Sequence, residues 1–163
     1  LWSYPWETKY GVNAADPIIF GTKIFISTGY SHGCALVNTA SGRPSTVYQS
    51  RSMRNHFNSC VFKDNFVYGF DESSLKCIEF NTGNEKWSQR GLGKASLIMA
   101  EGNLVIMSER GKLVTADANP FSFKELGSLQ ILSGQCWTQP SIANGRLYAR
   151  NRDGDMVCVD LRK

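Results

Sequence analysis

An all-β fold assembled from repeated four-stranded antiparallel sheets is predicted by three features of this sequence. A beat of about 40 residues runs along the chain, its apolar stretches alternate with period two, and tight-turn signals separate them.

The beat is carried by three series of residues. A residue opening a short strand recurs at Pro17, Ser59, Leu97 and Pro140. The first large apolar residue after a turn recurs at Ile24, Phe66, Leu104 and Leu147. A polar residue closes an apolar strand at Asn38, Glu79, Asp117 and Asp160. The first two series step by 42, 38 and 43 residues and the third by 41, 38 and 43, so independent features drift together. Four units follow, at about 13–50, 55–90, 94–130 and 135–163, with 1–6 as the outer strand of a preceding or closing unit.

Within each unit the strands show period-two alternation and β-branched or aromatic residues, as in Phe66-Val67-Tyr68 and Met156-Val157-Cys158-Val159. Turns at Asp64-Asn65, Gly102-Asn103 and Asn144-Gly145 separate the first and second strands. Arg110-Gly111 and Asp153-Gly154 separate the second and third. Asn81-Thr82-Gly83 separates the third and fourth, and Ser41–Pro44 takes that place in the first unit. No segment offers a capped amphipathic helix. Four short strands per unit of this length is the arithmetic of a β-propeller blade, whose two faces are buried only by stacking on neighbours.

The bulk numbers agree. A chain of 163 residues holds one domain with a real core, and 15 glycines with 12% aromatics suit a turn-rich β fold. The net charge of +4, spread over 18 basic and 14 acidic residues, is too mild and dispersed to argue for nucleic acid. No apolar run approaches the roughly 18–20 residues of a membrane helix. The chain opens abruptly at Leu1, which reads as a piece of a longer chain, so the lack of an export signal says nothing about location.

The stretch Cys77–Trp87, CIEFNTGNEKW, resembles the repeat of the pyrroloquinoline-quinone (PQQ) propeller superfamily, Ala-x-Asp-x-x-Thr-Gly-x-x-x-Trp. Cys77 stands for the alanine and Glu79 for the aspartate, while Thr82, Gly83 and Trp87 match. The other units are degraded copies, and Trp2 in LWSYPW takes the tryptophan slot of an earlier one. From end to end, through VNAADPI, MRNHFNSCV, WSQRGLGKASLI and CWTQP, the chain also resembles exported bacterial PQQ-like repeat proteins. That resemblance implies a periplasmic or otherwise exported protein. It implies a ring of seven or eight blades, of which this chain is about half. Such a half is expected to aggregate, stay open or pair with a second copy.

Function is the less determined part. Relatives of this repeat include quinoprotein alcohol dehydrogenases and the propeller lipoprotein that scaffolds outer-membrane barrel assembly, and a fold does not choose between them. The leading expectation is a non-enzymatic module that binds an unidentified protein or small-molecule ligand through its loop-rich face. The alternative is part of a PQQ-dependent alcohol or sugar dehydrogenase, which would need PQQ and Ca²⁺. No cofactor is evident: no adjacent cysteines, calcium cage or zinc spacing can be read in the chain. The long loops between units carry the candidate binding residues Asn13, Asp16, Arg54, Asn55, His56, Asn58, Lys94 and Trp137, with Arg51 and Arg90 beside them. Plainer alternatives stand beside four of them: loop fixing for Asn55 and Asn58, a merely solvated side chain for His56, and blade packing for Trp137. Glu79, Thr82, Gly83 and Trp87 are read as structural, with Trp87 covering the seam to the next blade. Cys34, Cys60, Cys77, Cys136 and Cys158 are expected as buried free thiols.

Overall fold

In the computed structural model, which describes residues 1–162, the chain forms four separate antiparallel sheets. The first holds β1 (Ile18–Phe20), β2 (Lys23–Thr28), β3 (Gly33–Asn38) and β4 (Ser45–Ser50). The second holds β5 (Val61–Lys63), β6 (Phe66–Asp71), β7 (Ser74–Glu79) and β8 (Glu85–Gln89). The third holds β9 (Ser96–Ala100), β10 (Asn103–Met107), β11 (Lys112–Asp117) and β12 (Glu125–Gln130). The fourth holds β13 (Ser141–Ala143), β14 (Arg146–Arg150) and β15 (Met156–Asp160). In every sheet the strands pair in sequence order, as a blade requires.

The turns explain why. At Asp64-Asn65, Glu101-Gly102 and Asn144-Gly145 both central residues have positive φ, between 48° and 78°. That geometry matches the right-handed twist of the flanking strands. The second turn lies one residue earlier than the Gly102-Asn103 read from the sequence, because Ala100 pairs with Asn103. The register also moves two anchors. Ile24↔Val37, Val67↔Ile78, Leu104↔Ala116 and Leu147↔Val159 are equivalent pairs, so Val67 and not Phe66 belongs to the second series. By the same pairing Cys60, not Ser59, is equivalent to Pro17. A slip of one reverses the face, so Phe66 points to the following blade and Val67 to the preceding one.

Three apolar seams form the core, each between consecutive blades. Phe25, Cys34 and Leu36 meet Val67, Ile78 and Phe80. Tyr68, Phe70, Leu75 and Cys77 meet Leu97, Leu104, Ile106, Val114 and Ala116. Val105, Met107 and Leu113 meet Leu147 and Ala149. The repeat motif lies at the second seam. Glu79 accepts from Thr82 Oγ1 at 2.8 Å and from Gly83 N at 2.8 Å, closing the turn. Gly83 has φ +73°, and a Cβ there would meet the Tyr48 ring at 2.7 Å. Trp87 on β8 packs beside Tyr68 and Phe123 and donates its indole N–H to Asn119 O at 3.0 Å.

Two expectations are met only in part. Of the two places read for Leu1–Trp6, the closing one is not taken within the chain: the segment forms no strand beside Met156–Asp160, and the fourth sheet has three strands. The segment lies over the first blade instead: Tyr4 Oη is 2.9 Å from Thr46 Oγ1, and Trp6 Nε1 donates to Thr28 Oγ1 at 2.9 Å. The physical reason is the apolar far face of that blade, where Trp2, Tyr4 and Trp6 meet Ile24, Ile26 and Val37. All five cysteines are free, but only Cys34, Cys77 and Cys136 are buried. Cys60 is half-buried, and Cys158 is exposed because it lies on the face of the fourth blade that no sheet covers.

Candidate functional site: the loop-rich face

The loops leading into each blade and the turns between its second and third strands meet on one face of the molecule. Glu72 N donates to Arg54 O, Glu109 N to Leu92 O and Arg152 N to Gln135 O, at 2.8–3.0 Å. The same tie recurs in three blades and holds the loops to the sheets.

Two of the polar candidates on this face, Asn55 and Asn58, are buried, and the others are bonded at its surface or half-buried. Asn55 is 1% exposed. Its amide donates to Phe70 O and Asn58 Oδ1, both at 3.3 Å, and its carbonyl oxygen accepts from Cys60 Sγ. Asn13 accepts from Thr28 Oγ1 at 2.8 Å. A line of bonds then stitches neighbouring blades at their innermost strands. Ser59 Oγ donates to Asp16 Oδ2 at 2.9 Å, Asn58 Nδ2 to Ala95 O, and Ser96 Oγ to Thr138 O at 3.3 Å. Gln139 Nε2 returns the tie with a bond to Leu97 O at 2.9 Å. Among the described residues no buried side-chain nitrogen or oxygen lacks a partner.

Arg54 forks onto Asp71 with contacts of 2.5 and 2.9 Å, and Lys76 reaches the same carboxylate at 2.8 Å and Glu85 at 2.8 Å. Burial opposes the charge on Asp71. The bonds from Arg54 and Lys76 outweigh it and hold the carboxyl below its ordinary range. Burial likewise disfavours charged Lys76, and its bonds to Asp71 and Glu85 reverse the shift upward. His56 Nε2 pairs with Glu72 Oε2. Glu109 takes the backbone N–H of Lys94 at 3.2 Å and the indole N–H of Trp137 at 3.1 Å.

A ridge of rings crosses this face. Tyr10 lies 5.1 Å from Tyr30, Tyr30 4.5 Å from His56, His56 6.5 Å from Phe57, and Phe57 stacks on Trp137 at 4.8 Å and 30°. Tyr10, Tyr30 and Trp137 are 60%, 46% and 40% exposed. The ridge draws on the segment before the first blade, its β2–β3 turn, and the leading loops of the second and fourth blades. The leading loop of the blade between these two, Gly91-Leu92-Gly93, is slim. Of the sequence candidates, His56 and Trp137 join the ridge. Arg54, Asn55, Asn58, Asn13 and Asp16 serve as ties, while Lys94 is engaged through its backbone. Tyr10, Tyr30, Phe57, Glu72 and Glu109 were not singled out in the sequence, where loop aromatics look like core.

The PQQ alternative calls for an oxygen cage. Among the described residues no three His, Cys, Asp or Glu side chains gather to hold a metal ion. The amide oxygens at the channel mouth are engaged by Cys60 and Asn55.

No protein-family model and no curated protein sequence matches the chain. Solved structures do. BamB from Moraxella catarrhalis superposes with a TM-score of 0.69 at 15% identity, over 88% of this chain and 42% of that one. The computationally designed Ika4 protein gives 0.73 at 15% identity, over 99% of this chain and 98% of that one. A europium-containing methanol dehydrogenase gives 0.53 at 11% identity, over 69% of this chain and 23% of that one. The chain spans less than half the length of BamB and of the designed Ika8 protein, 42% and 44%. At these identities the likeness carries the fold alone: stacked antiparallel blades of a β-propeller.

Proposed function

We propose that this chain is a binding and scaffold module that docks a protein partner through the aromatic ridge of its loop-rich face. The ridge is the observation that carries the reading. Half-exposed Tyr and Trp side chains are the anchors that dominate protein interfaces. The Trp137 indole is held by Glu109 and its ring by Phe57, so little freedom is lost on binding. The resemblance to exported PQQ-like repeat proteins, with the structural likeness to BamB, supports a periplasmic setting and a scaffold role. In this reading the polar ties beneath the ridge keep the loops rigid and do not themselves contact the partner.

The test is site-specific photo-crosslinking in the native host. A photoreactive residue at Tyr30 or Trp137 should yield a discrete protein adduct, and one at Asn144, on the opposite face, should not. Adducts from both faces alike, or from neither, would sink the proposal. The quinoprotein alternative is tested separately, by adding PQQ and Ca²⁺ and following absorbance. A bound-quinone spectrum would favour the enzyme.

A further inference from the structure

Two arginines on the loop-rich face stand in a cavity that adjoins the ridge. Arg90 lies in the loop leading into the third blade and Arg110 in its β10–β11 turn, and both are exposed. Their backbones are held alike: Gln89 Nε2 donates to Arg90 O at 2.8 Å, and Gln130 Nε2 donates to Arg110 O at 2.7 Å. Among the described residues neither guanidinium forms an ion pair. The carboxylates around them are already taken. Asp71 holds Arg54 and Lys76, Glu85 holds Lys76, and Glu72 pairs with His56. Glu109 accepts from Lys94 N and Trp137 Nε1.

Arg90 and Arg110 line one cavity of ≈ 610 Å³ with Ser73 and Ser74 of the β6–β7 turn, Gly91 and Glu109. A second hollow of ≈ 690 Å³ shares Ser73, Ser74 and Arg90 and continues the first to Arg54. Together they make a trough across the top of the second blade. Each part falls in the range of roughly 300–1,000 Å³ that takes an organic ligand, which is too large for one inorganic anion. Gly91 has φ +99° and a Cβ there would meet nothing within 4 Å, so the loop leaves the trough open. Two guanidiniums without carboxylates of their own offer only donors, and the fork of each matches a carboxylate. Glu109 links trough and ridge, because it lines the cavity and also holds the Trp137 indole. A polypeptide seated on Trp137 is thereby brought beside Arg110. We propose that the segment seated on the ridge is acidic and extended, with carboxylate side chains bound by Arg90 and Arg110. The inference rests on the ridge reading and adds the partner's chemistry to it. Exposed charges at the rim of an interface act on encounter and on the choice of partner, and salt weakens them.

Two measurements test this. The first titrates the chain into a fluorescein-labelled hexaglutamate peptide, and into its hexalysine counterpart, at low ionic strength and follows anisotropy. Hexaglutamate should bind saturably and hexalysine should not. Arg90→Glu with Arg110→Glu should weaken binding about tenfold. Arg43→Glu with Lys124→Glu makes the same charge change at exposed positions on the opposite face and should leave binding within about twofold. The altered arginines are exposed, so β-sheet circular dichroism should be retained. Arg90→Gln with Arg110→Gln, a milder pair, should weaken binding in the same direction. No binding of hexaglutamate, equal losses from the two glutamate pairs, or displacement of the peptide by equimolar inorganic phosphate would overturn the proposal. The second measurement follows the adduct formed from a photoreactive residue at Tyr30. Adding Arg90→Glu and Arg110→Glu should cut its yield about fivefold, and an unchanged yield would also overturn the proposal. If hexaglutamate binds as expected but the unaltered chain gives no Tyr30 adduct, the ridge reading falls while the trough stands as a site for acidic polypeptide.

Discussion

The second and fourth blades share one strand pattern and differ in what their far faces meet. In register, Phe66, Tyr68, Phe70, Leu75 and Cys77 of the second correspond to Arg146, Tyr148, Arg150, Met156 and Cys158 of the fourth. The first set is packed against the third blade; in the second set Met156 is 66% exposed and Arg150 and Cys158 lie open. Pairing geometry is the same, with β6 on β7 as β14 on β15. The repeat therefore dictates which residues share a face, and the neighbour dictates whether that face is core. Two phenylalanines give way to two arginines where the intrachain neighbour ends.

The widest gap is expected at Phe70 and Arg150. Phe70 is fully buried. Phe70→Ala should cost about 3–5 kcal/mol, from lost transfer free energy and the cavity left behind. Arg150→Ala should stay within about 0.5 kcal/mol of the unaltered chain. Denaturant unfolding measures both. Similar losses at the two positions would break the comparison.

The next contrast is at the end of the same strands. Asp71 is 4% exposed and holds Arg54 and Lys76, whereas its equivalent Asn151 carries no charge and donates its amide to Asp155 Oδ2 and Ser133 O. Asp71→Ala leaves Arg54 without its partner and Lys76 with Glu85 alone, and should cost about 3 kcal/mol. The Asp71 carboxyl titrates below its ordinary value of 3.8 in the fold. Its stabilisation is therefore complete above that value and is lost as pH falls through the lower, folded one. Lys76, raised above 10.5, adds stability that is complete below that value and fades as pH rises through the raised one. Acid unfolding followed by circular dichroism should lose part of its low-pH limb in Asp71→Asn and keep it in Asn151→Ala.

The blades, their order and the hairpin turns were legible in the sequence because period and turn chemistry are local. The register was legible only to within one residue. In DNFVYG two apolar residues follow the turn, and nothing local tells Phe66 from Val67. The site was less legible. A loop asparagine facing a ligand and one tying a backbone carbonyl have the same letter, and Asn55 and Asn58 proved to be ties. The ridge joins Tyr30 to His56 and Phe57 to Trp137, contacts made only once blades distant in sequence are stacked. Leu1–Trp6 keeps a strand-like alternation of aromatics yet joins no sheet, and those aromatics line a cleft on the first blade.

Cys77 and Cys158 give a smaller difference of the same kind. Burial pushes the Cys77 thiol up to about 11 and makes it an apolar packing group. Cys77→Ser places a hydroxyl in that seam and should cost about 1–3 kcal/mol. Cys158→Ser, on the open face, should change stability by less than about 0.5 kcal/mol. Maleimide labelling of the native chain should modify Cys158 and spare Cys77. Equal labelling of Cys77 and Cys158 would break the comparison.

The smallest effect on folding is expected where the effect on binding is greatest. Trp87 and Trp137 are both tryptophans with an engaged indole N–H, but Trp87 lies in a seam between blades and Trp137 is 40% exposed on the loop-rich face. Removing Trp137 loses one stacked contact with Phe57, worth about 0.5–1.5 kcal/mol, and frees the Glu109 carboxylate to water. Trp137→Ala should therefore lower unfolding stability by no more than about 1.5 kcal/mol while abolishing the adduct formed from Tyr30. Trp137→Phe retains the stack without the N–H and should keep most of the adduct, which separates the ring's role from that of the bond to Glu109. A Trp137→Ala chain that still forms the adduct at full yield would make Trp137 a packing residue like Trp87, and the ridge would lose its fourth-blade anchor.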